Sequence, residues 1–464
     1  MLKVDRIKVI VIAFMLLSTF STLIPEGVSE GPRNDGKDTS VEPVTIKVSM
    51  NAEITKITCT LNDYRTTEVM IDGRKYIKIS IPGESNTMER GKPDLPRVCR
   101  SIIIPDDTRM GVKILNVEYE DIYNILIVPS KGNLPRTVNP DDVPYQFDEI
   151  YSKDEWYPGD LAKLREPYIL RDFRAQVVEI YPFQYNPVRK ILRIYTEIEL
   201  EILPVAPGKV NVFDRKKPLL SLDEEFKEIY KREFINFDKI DYRGINFAFP
   251  EYSNCRLYTP VDDHGNMLII CYDDFYDEMK PFVTWKNMKG IPTEMVNLSE
   301  VGATADDIHD YIIDYYNTHG LTFVLLVGDA EQVPTMMVSG HASDPSYSYI
   351  VGDDHYPDIF VGRFSAENTD HVVTQVERSV DYEKYPQADG EWYHKGTGIA
   401  SDEGPGDDGE YDYQHIRNIR SDLLGYTYTS VDELYDGSQG GEDAPGDPSA
   451  SMVSTALNEG RGIV

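Results

Sequence analysis

At 464 residues the chain is long enough for two or three domains, each with a core of its own. A hydrophobic content of 41% beside 27% charged residues is that of a globular protein and excludes a wholly disordered one. Asp and Glu number 79 against 47 Lys and Arg, a formal net charge of -32 that repels nucleic acid and anionic lipid but is compatible with Ca²⁺ or basic peptides.

Lys3, Arg6 and Lys8 precede the apolar run VIVIAFMLLSTF. A basic region before a short hydrophobic stretch predicts a secretory signal peptide over residues 1–29, with Gly27-Val28-Ser29 as small residues near the cut. The alternative, an uncleaved anchor, calls for about 20 apolar residues, and this run is shorter. No later segment is apolar enough to cross a bilayer, so no membrane span is expected after the signal. Residues 30–41, rich in Gly, Pro, Ser and charge, read as a flexible leader.

Residues 42–206 carry short alternating or β-branched runs separated by turn residues, at 44–48, 77–81, 101–104, 111–117, 125–128, 176–181 and 191–203. That spacing predicts an all-β domain of sandwich or barrel type, with Asn186-Pro187 turning a hairpin. Residues 207–257 read as a linker with one short helix over 223–234. All eight histidines lie at or beyond His264, which marks a compositional boundary. From residue 258 strands alternate with helices. Strands are expected at 267–271, 291–296, 323–327, 348–352, 359–364, 397–401 and 426–431. Thr304, with Asp307 three residues on, predicts a capped helix with Ile308, Tyr311, Ile312 and Tyr315 on one face. Helices are also expected at 275–288, through Val372, Val376 and Val380, at 415–424 and at 448–458. Such alternation predicts a doubly wound α/β sheet, whose ligand edge lies at the carboxyl ends of its strands. The closing Gly462-Ile463-Val464 reads as the opening of a further buried strand, so the domain is expected to be truncated at its C-terminus.

The phrases VLLVGD (residues 324–329) and VGDDHYPDIFVGRFS resemble the catalytic domain of the gingipains, cysteine peptidases of family C25. The resemblance runs from YTPVDDHGNM to the last residue. GKPDLPRVCRSIIIP and YPFQYNPVRKILRIYTEIELEI are similar to the propeptide of the same family. The resemblance implies a multidomain precursor: an all-β propeptide domain over 42–206, a linker and processing region over 207–257, and an incomplete caspase-like catalytic domain over 258–464. It implies processing near Tyr258, with Arg256-Leu257 as the candidate bond. It also implies a propeptide bound to the catalytic domain, covering the strand-end cleft, and protein or peptide substrates with a basic residue before the scissile bond.

The family's catalytic His lies in a Gly-His-Gly phrase after a Gly-Ile-Val-like run, and its Cys follows later; neither is present here. A thiolate needs an imidazole beside it, so this stretch alone is expected to be inert. Two supporting acids are implied within IASDEGPGDDGEYDYQH: Glu403 as the residue that orients the His, and Asp412 as the carboxylate at the floor of the specificity pocket. Cys59, Cys99, Cys255 and Cys271 permit three pairing schemes, and Cys271 reads as a buried small hydrophobe. Asp353, Asp354 and Asp358 supply oxygen in one loop and Asp407, Asp408 and Glu410 in another; with the family's use of structural Ca²⁺ they become candidate ligands, though without EF-hand spacing. No organic cofactor is expected, no zinc set is formed, and no P-loop is present. The reading is a secreted cysteine endopeptidase precursor. The alternative is a non-catalytic surface or secretion-associated binding protein on the same scaffold.

Overall fold

A computed structural model of the chain describes residues 42–135, 137–215, 219, 221–242, 264–405 and 410–464. The signal peptide and leader expected over 1–41, the bond Arg256-Leu257, and Cys255, Asp407 and Asp408 lie outside the described residues.

The N-terminal part is built from β1 (Val44–Asn51), β2 (Ile54–Leu61), β3 (Arg65–Ile71), β4 (Arg74–Ser80), β5 (Val98–Ile103), β6 (Thr108–Tyr123), β7 (Ala162–Leu164), β8 (Tyr168–Leu170), β9 (Phe173–Ile180), β10 (Phe183–Asn186) and β11 (Ile191–Pro207), followed by helix α1 (Glu224–Glu233). One sheet runs β1-β2-β11-β10 with β6 along the other side of β11; a second has β5 and β7 on β9, with β8 continuing the edge. In β2 the sequence ITKITCTL alternates, sending Ile57, Cys59 and Leu61 inward. They meet Val178 and Ile180 of β9 and Leu192, Ile194 and Leu200 in one core. The two sheets therefore form the expected sandwich. Asn186 pairs with Ile191, so the hairpin turns at Asn186-Pro187 as read. Residues 125–128 form no strand; they touch β4 only through a bridge at Ile77–Ile127.

β9 is covered on both faces. Its odd positions, Phe173, Ala175 and Val177, turn toward α1, where Phe226, Tyr230 and Phe234 form a second core. Its even positions include Arg174, whose guanidinium donates to the carbonyls of Asn211 (2.5 Å), Pro105 (2.8 Å), Thr108 (2.7 Å) and Val210 (2.9 Å). A buried charge tolerates that setting because its N–H donors find fixed acceptors.

The C-terminal part comprises β12 (Met267–Cys271), α2 (Tyr276–Met288), β13 (Thr293–Asn297), α3 (Leu298–Val301), α4 (Ala305–His319), β14 (Phe323–Val327), β15 (Met337–Val338), β16 (His341–Ala342), β17 (Phe360–Phe364), α5 (Thr369–Lys384), β18 (Lys395–Ala400), α6 (Asp412–Tyr426), β19 (Ser430–Tyr435) and α7 (Ala450–Glu459). Strands β13-β12-β14-β17 make a parallel sheet with helices on both faces. Leu268, Ile270, Val324 and Leu326 pack under Ile308 and Ile312 of α4. Ile269, Cys271, Leu325 and Val327 pack under Phe282 of α2 and Val372 and Val376 of α5. Burial on both faces explains why these strands read as unbroken apolar runs. The Thr304–Asp307 capping box forms as expected, with reciprocal bonds of 3.0 and 3.1 Å.

Three expectations change. β18 and β19 form a separate parallel pair rather than extending the first sheet, with Ile463 bridging in parallel at Gly396. Residues 348–352 are not a strand, because the N–H groups of Ile350 and Val351 turn onto the Asp358 carboxylate (2.9 and 2.7 Å) and cannot serve a ladder. The strand expected at 426–431 starts later, since α6 continues to Tyr426 and β19 begins at Ser430.

Candidate functional site

The carboxyl edge of the parallel sheet is shaped by a tight turn after β14. Gly328 has φ +136, and a Cβ there would lie 2.8 Å from the Gln332 Cβ, so the turn calls for glycine. Arg363 of β17 fixes the loop that follows. It donates to the carbonyls of Gly328 (2.9 Å) and Val333 (2.8 Å) and grips both oxygens of Asp344 at 2.7 Å. Burial pushes the Asp344 carboxyl up, but hydrogen bonds from Arg363 and Thr335 outweigh it and hold the group below the usual range. The β15–β16 hairpin projects from this loop with Met337 and Val338 exposed.

At the carboxyl end of β18 the structure brings Glu403 and Asp412 together. Asp412 is the first residue of α6, where a negative charge is favoured by the helix dipole. Its N–H donates to the Glu403 carbonyl (2.9 Å), and its carboxylate accepts from the Ser401 hydroxyl (2.6 Å). The Glu403 N–H donates to the same hydroxyl at 3.2 Å. Asp412 is half-buried and Glu403 exposed. The arrangement presents one oriented carboxylate and one free one at the mouth of the β18 strand end.

The opposite, amino-terminal edge holds a contact that the sequence did not announce. Arg171, at the tip of the β8–β9 hairpin, has only 8% of its side chain exposed. Its guanidinium donates to the carbonyls of Leu321 (2.5 Å) and Asp358 (2.7 Å), to the Asp223 carboxylate (2.5 Å) and to the Thr322 hydroxyl (3.3 Å). It also lies over the rings of Phe226 (4.5 Å) and Tyr316 (5.5 Å). Leu321 and Thr322 directly precede β14, and Asp358 precedes β17.

Two family models account for most of the chain: the C25 propeptide over residues 35–245 and peptidase family C25 over residues 261–464. The chain belongs to peptidase family C25. It is 34% identical over 426 residues to Gingipain R2 of Porphyromonas gingivalis, covering 90% of this chain and 55% of that protein. Over 402 residues it is 34% identical to Gingipain R1, covering 85% of this chain and 38% of that protein. The chain thus spans between about a third and just over half of these relatives' length. Among solved structures, the complex of Porphyromonas gingivalis RgpB pro- and mature domains is 32% identical, covers 43% of this chain and 98% of that one, and aligns with a TM-score of 0.39.

In this C25 chain none of the described cysteines is set up as a nucleophile. Burial pushes the thiols of Cys59 and Cys271 up to about 12 and raises that of Cys99, and all three are free. Cys271 is the buried hydrophobe expected of it. Of the described histidines, His415 in the first turn of α6 faces Glu410 at 3.2 Å and His264 faces Glu225 at 2.7 Å.

The acids proposed for Ca²⁺ occupy the amino edge. Asp358 is fully buried and accepts N–H groups from Arg171 (2.8 Å), Ile350 and Val351. Burial pushes its carboxyl up to about 7 against those three donors. Asp354 accepts from Ile169 (2.9 Å) and Tyr356 (3.0 Å), and the Asp353 N–H donates to Asn211 (2.7 Å). Among the described residues no three His, Cys, Asp or Glu side chains are grouped to hold a metal ion. In this arrangement the Asp354 and Asp358 oxygens are engaged by backbone N–H donors.

Proposed function

We propose that the chain is the propeptide and the first part of the catalytic domain of a secreted C25 cysteine endopeptidase that cleaves after basic residues. The observation that carries the reading is Asp412: a half-buried carboxylate, oriented by Ser401 at a strand end of the α/β part, in a chain matched by the C25 model. Such a group pairs with a guanidinium or ammonium and disfavours neutral side chains, whose entry would desolvate the carboxylate with no compensating charge. Glu403 lies beside it with a free side chain suited to orienting an imidazole. The relatives matched here are named Gingipain R, and arginine is the proposed preference.

In this reading the Cys–His pair comes from residues after Val464, delivered onto the β18–β19 strand ends in a caspase-like arrangement. The signal peptide at 1–29 exports the precursor, and residues 42–206 form its propeptide. The β18–β19 pair, with Ile463 already alongside β18, is a sheet onto which a further strand adds naturally. No described helix is long and apolar enough to cross a membrane.

The test is a substrate series on two proteins: residues 1–464 alone and the product of the complete gene. The complete product is expected to hydrolyse arginyl peptides over neutral ones by at least about 100-fold, the worth of one desolvated charge pair. Residues 1–464 alone are expected to hydrolyse none. A complete reading frame without a Cys–His pair turns the assignment to the non-catalytic binding protein.

A further inference from the structure

β8 is a three-residue strand paired with β9 on one side. On its other side the N–H groups of alternate residues, Ile169 and Arg171, point away from the sheet, as the two-residue period of a strand requires. Unpaired edge donors of this kind must be covered or hydrated. Here each finds a carboxylate of one loop: Ile169 donates to Asp354 at 2.9 Å and Arg171 to Asp358 at 2.8 Å. Donors at positions 169 and 171 thus meet acids at positions 354 and 358 of a single loop.

Further contacts flank this pair. Tyr168 stacks on Tyr356 with ring centroids 3.8 Å apart and planes 15° from parallel. Asn211 accepts the Asp353 N–H at 2.7 Å, and Phe226 lies 4.9 Å from Phe360. Gly352 lets the loop approach: with φ +90, a Cβ there would sit 3.3 Å from both the Ile169 Cδ1 and the Asn211 Oδ1. At the centre the Arg171 guanidinium enters the space before β14, where its two Nη atoms donate to the Leu321 and Asp358 carbonyls and to Asp223. Aromatic and arginine side chains in a desolvated centre are the pattern of a binding hot spot.

We propose that the β8–β9 hairpin and the 353–358 loop form a latch that holds the propeptide on the amino-terminal edge of the peptidase sheet. The latch works by β-edge capping, with Arg171 as its central knob. β14 is five residues long and so spans about 16 Å, which separates the latch from the carboxyl ends of the same sheet. Retention of the propeptide is then a property of the amino edge, separable from whatever occupies the strand-end cleft. This adds a point of attachment to the expectation that the propeptide covers that cleft. The inference rests on the family assignment and not on the proposed arginine preference, and its test needs no turnover.

The test is amide hydrogen exchange on the full chain, wild type and Arg171→Ala, reading residues 167–172 and 351–356. Undocking exposes both sides of the latch at once. Exchange at the Ile169 and Asp353 amides is expected to rise together by at least about 30-fold, the factor for a hot-spot truncation. β2, β11, β12 and β14 should keep their protection. If Arg171→Ala unfolds the chain, Tyr356→Ala decides, because Tyr356 is 38% exposed and its loss leaves the cores intact. A folded variant in which both segments exchange as in the wild type overturns the latch, as does a rise on one side alone. Failure here leaves the substrate reading untouched, and failure of the substrate series leaves the latch untouched.

Discussion

The two edges of the α/β part treat charge in opposite ways. At the amino edge Arg171 and Asp358 are buried and Asp354 is half-buried, and all three hydrogen-bond within the protein, the Arg171 Nε excepted. At the β18 strand end Asp412 accepts from the Ser401 hydroxyl and is half-buried, while the Glu403 side chain is exposed. A closed cluster of this kind holds parts together, because disrupting it strands buried groups at about 1–3 kcal/mol each. A half-buried carboxylate at a helix start, oriented by a hydroxyl, is suited to meeting an incoming cation. The contrast is the one expected between the proposed attachment site and the proposed recognition site.

The largest effect is expected from Arg174→Ala. Arg174 lies three residues from Arg171 in sequence, yet its four carbonyl acceptors all belong to the N-terminal part. Its loss leaves several buried carbonyls unmatched and should cost at least ~3 kcal/mol, seen as a lower melting temperature of the N-terminal sandwich. Arg171→Ala should instead loosen the latch and leave that sandwich standing. Equal melting of the sandwich in the two variants would erase the distinction between an internal arginine and an anchoring one.

Acid provides the next test. Burial pushes the Glu179 carboxyl up, but hydrogen bonds from Tyr181, Arg165 and Lys163 outweigh it and bring it to about 2, against an ordinary 4.5. A depressed carboxyl contributes stability above its unfolded value and loses it as pH falls toward its folded one. The sandwich should therefore weaken between about pH 4.5 and 2, and Glu179→Gln should flatten that limb while lowering stability at neutral pH. Thermal scans across that range would show an unchanged acid limb in the variant if Glu179 were a bystander.

These contrasts also explain what could be read from the chain directly. The runs ITKITCTL and FVLLV announce a half-buried and a fully buried strand through their periods, and Thr304 with Asp307 announces a helix start. The segment 348–352 misled because its apolar residues look like a strand, whereas their N–H groups belong to Asp358. The Arg171 socket was invisible for a different reason: its carbonyl partner at Leu321 lies 150 residues away, and backbone carbonyls leave no mark in a sequence. Asp353, Asp354 and Asp358 suggested a cation because clustered acids serve either N–H groups or metals. Asp412 and Glu403 could be picked out by resemblance, but their shared use of Ser401 needed coordinates.

The smallest effect is expected from removing divalent cations. With the oxygens of Asp354 and Asp358 occupied by N–H donors, EDTA should shift the melting temperature of the full chain by less than about 1 °C, well under the several degrees that one kcal/mol is worth. A larger loss, restored by Ca²⁺, would point to ligands in one of the two acidic loops, that of Asp353, Asp354 and Asp358 or that of Asp407, Asp408 and Glu410.

The proposed preference for basic residues turns on Asp412. In the product of the complete gene, kcat/KM for an arginyl peptide and for its neutral counterpart should be measured in the wild type and in Asp412→Asn. The variant should lose at least about 100-fold on the arginyl substrate and little on the neutral one. An arginyl preference that survives the substitution would contradict the assignment of this carboxylate to recognition.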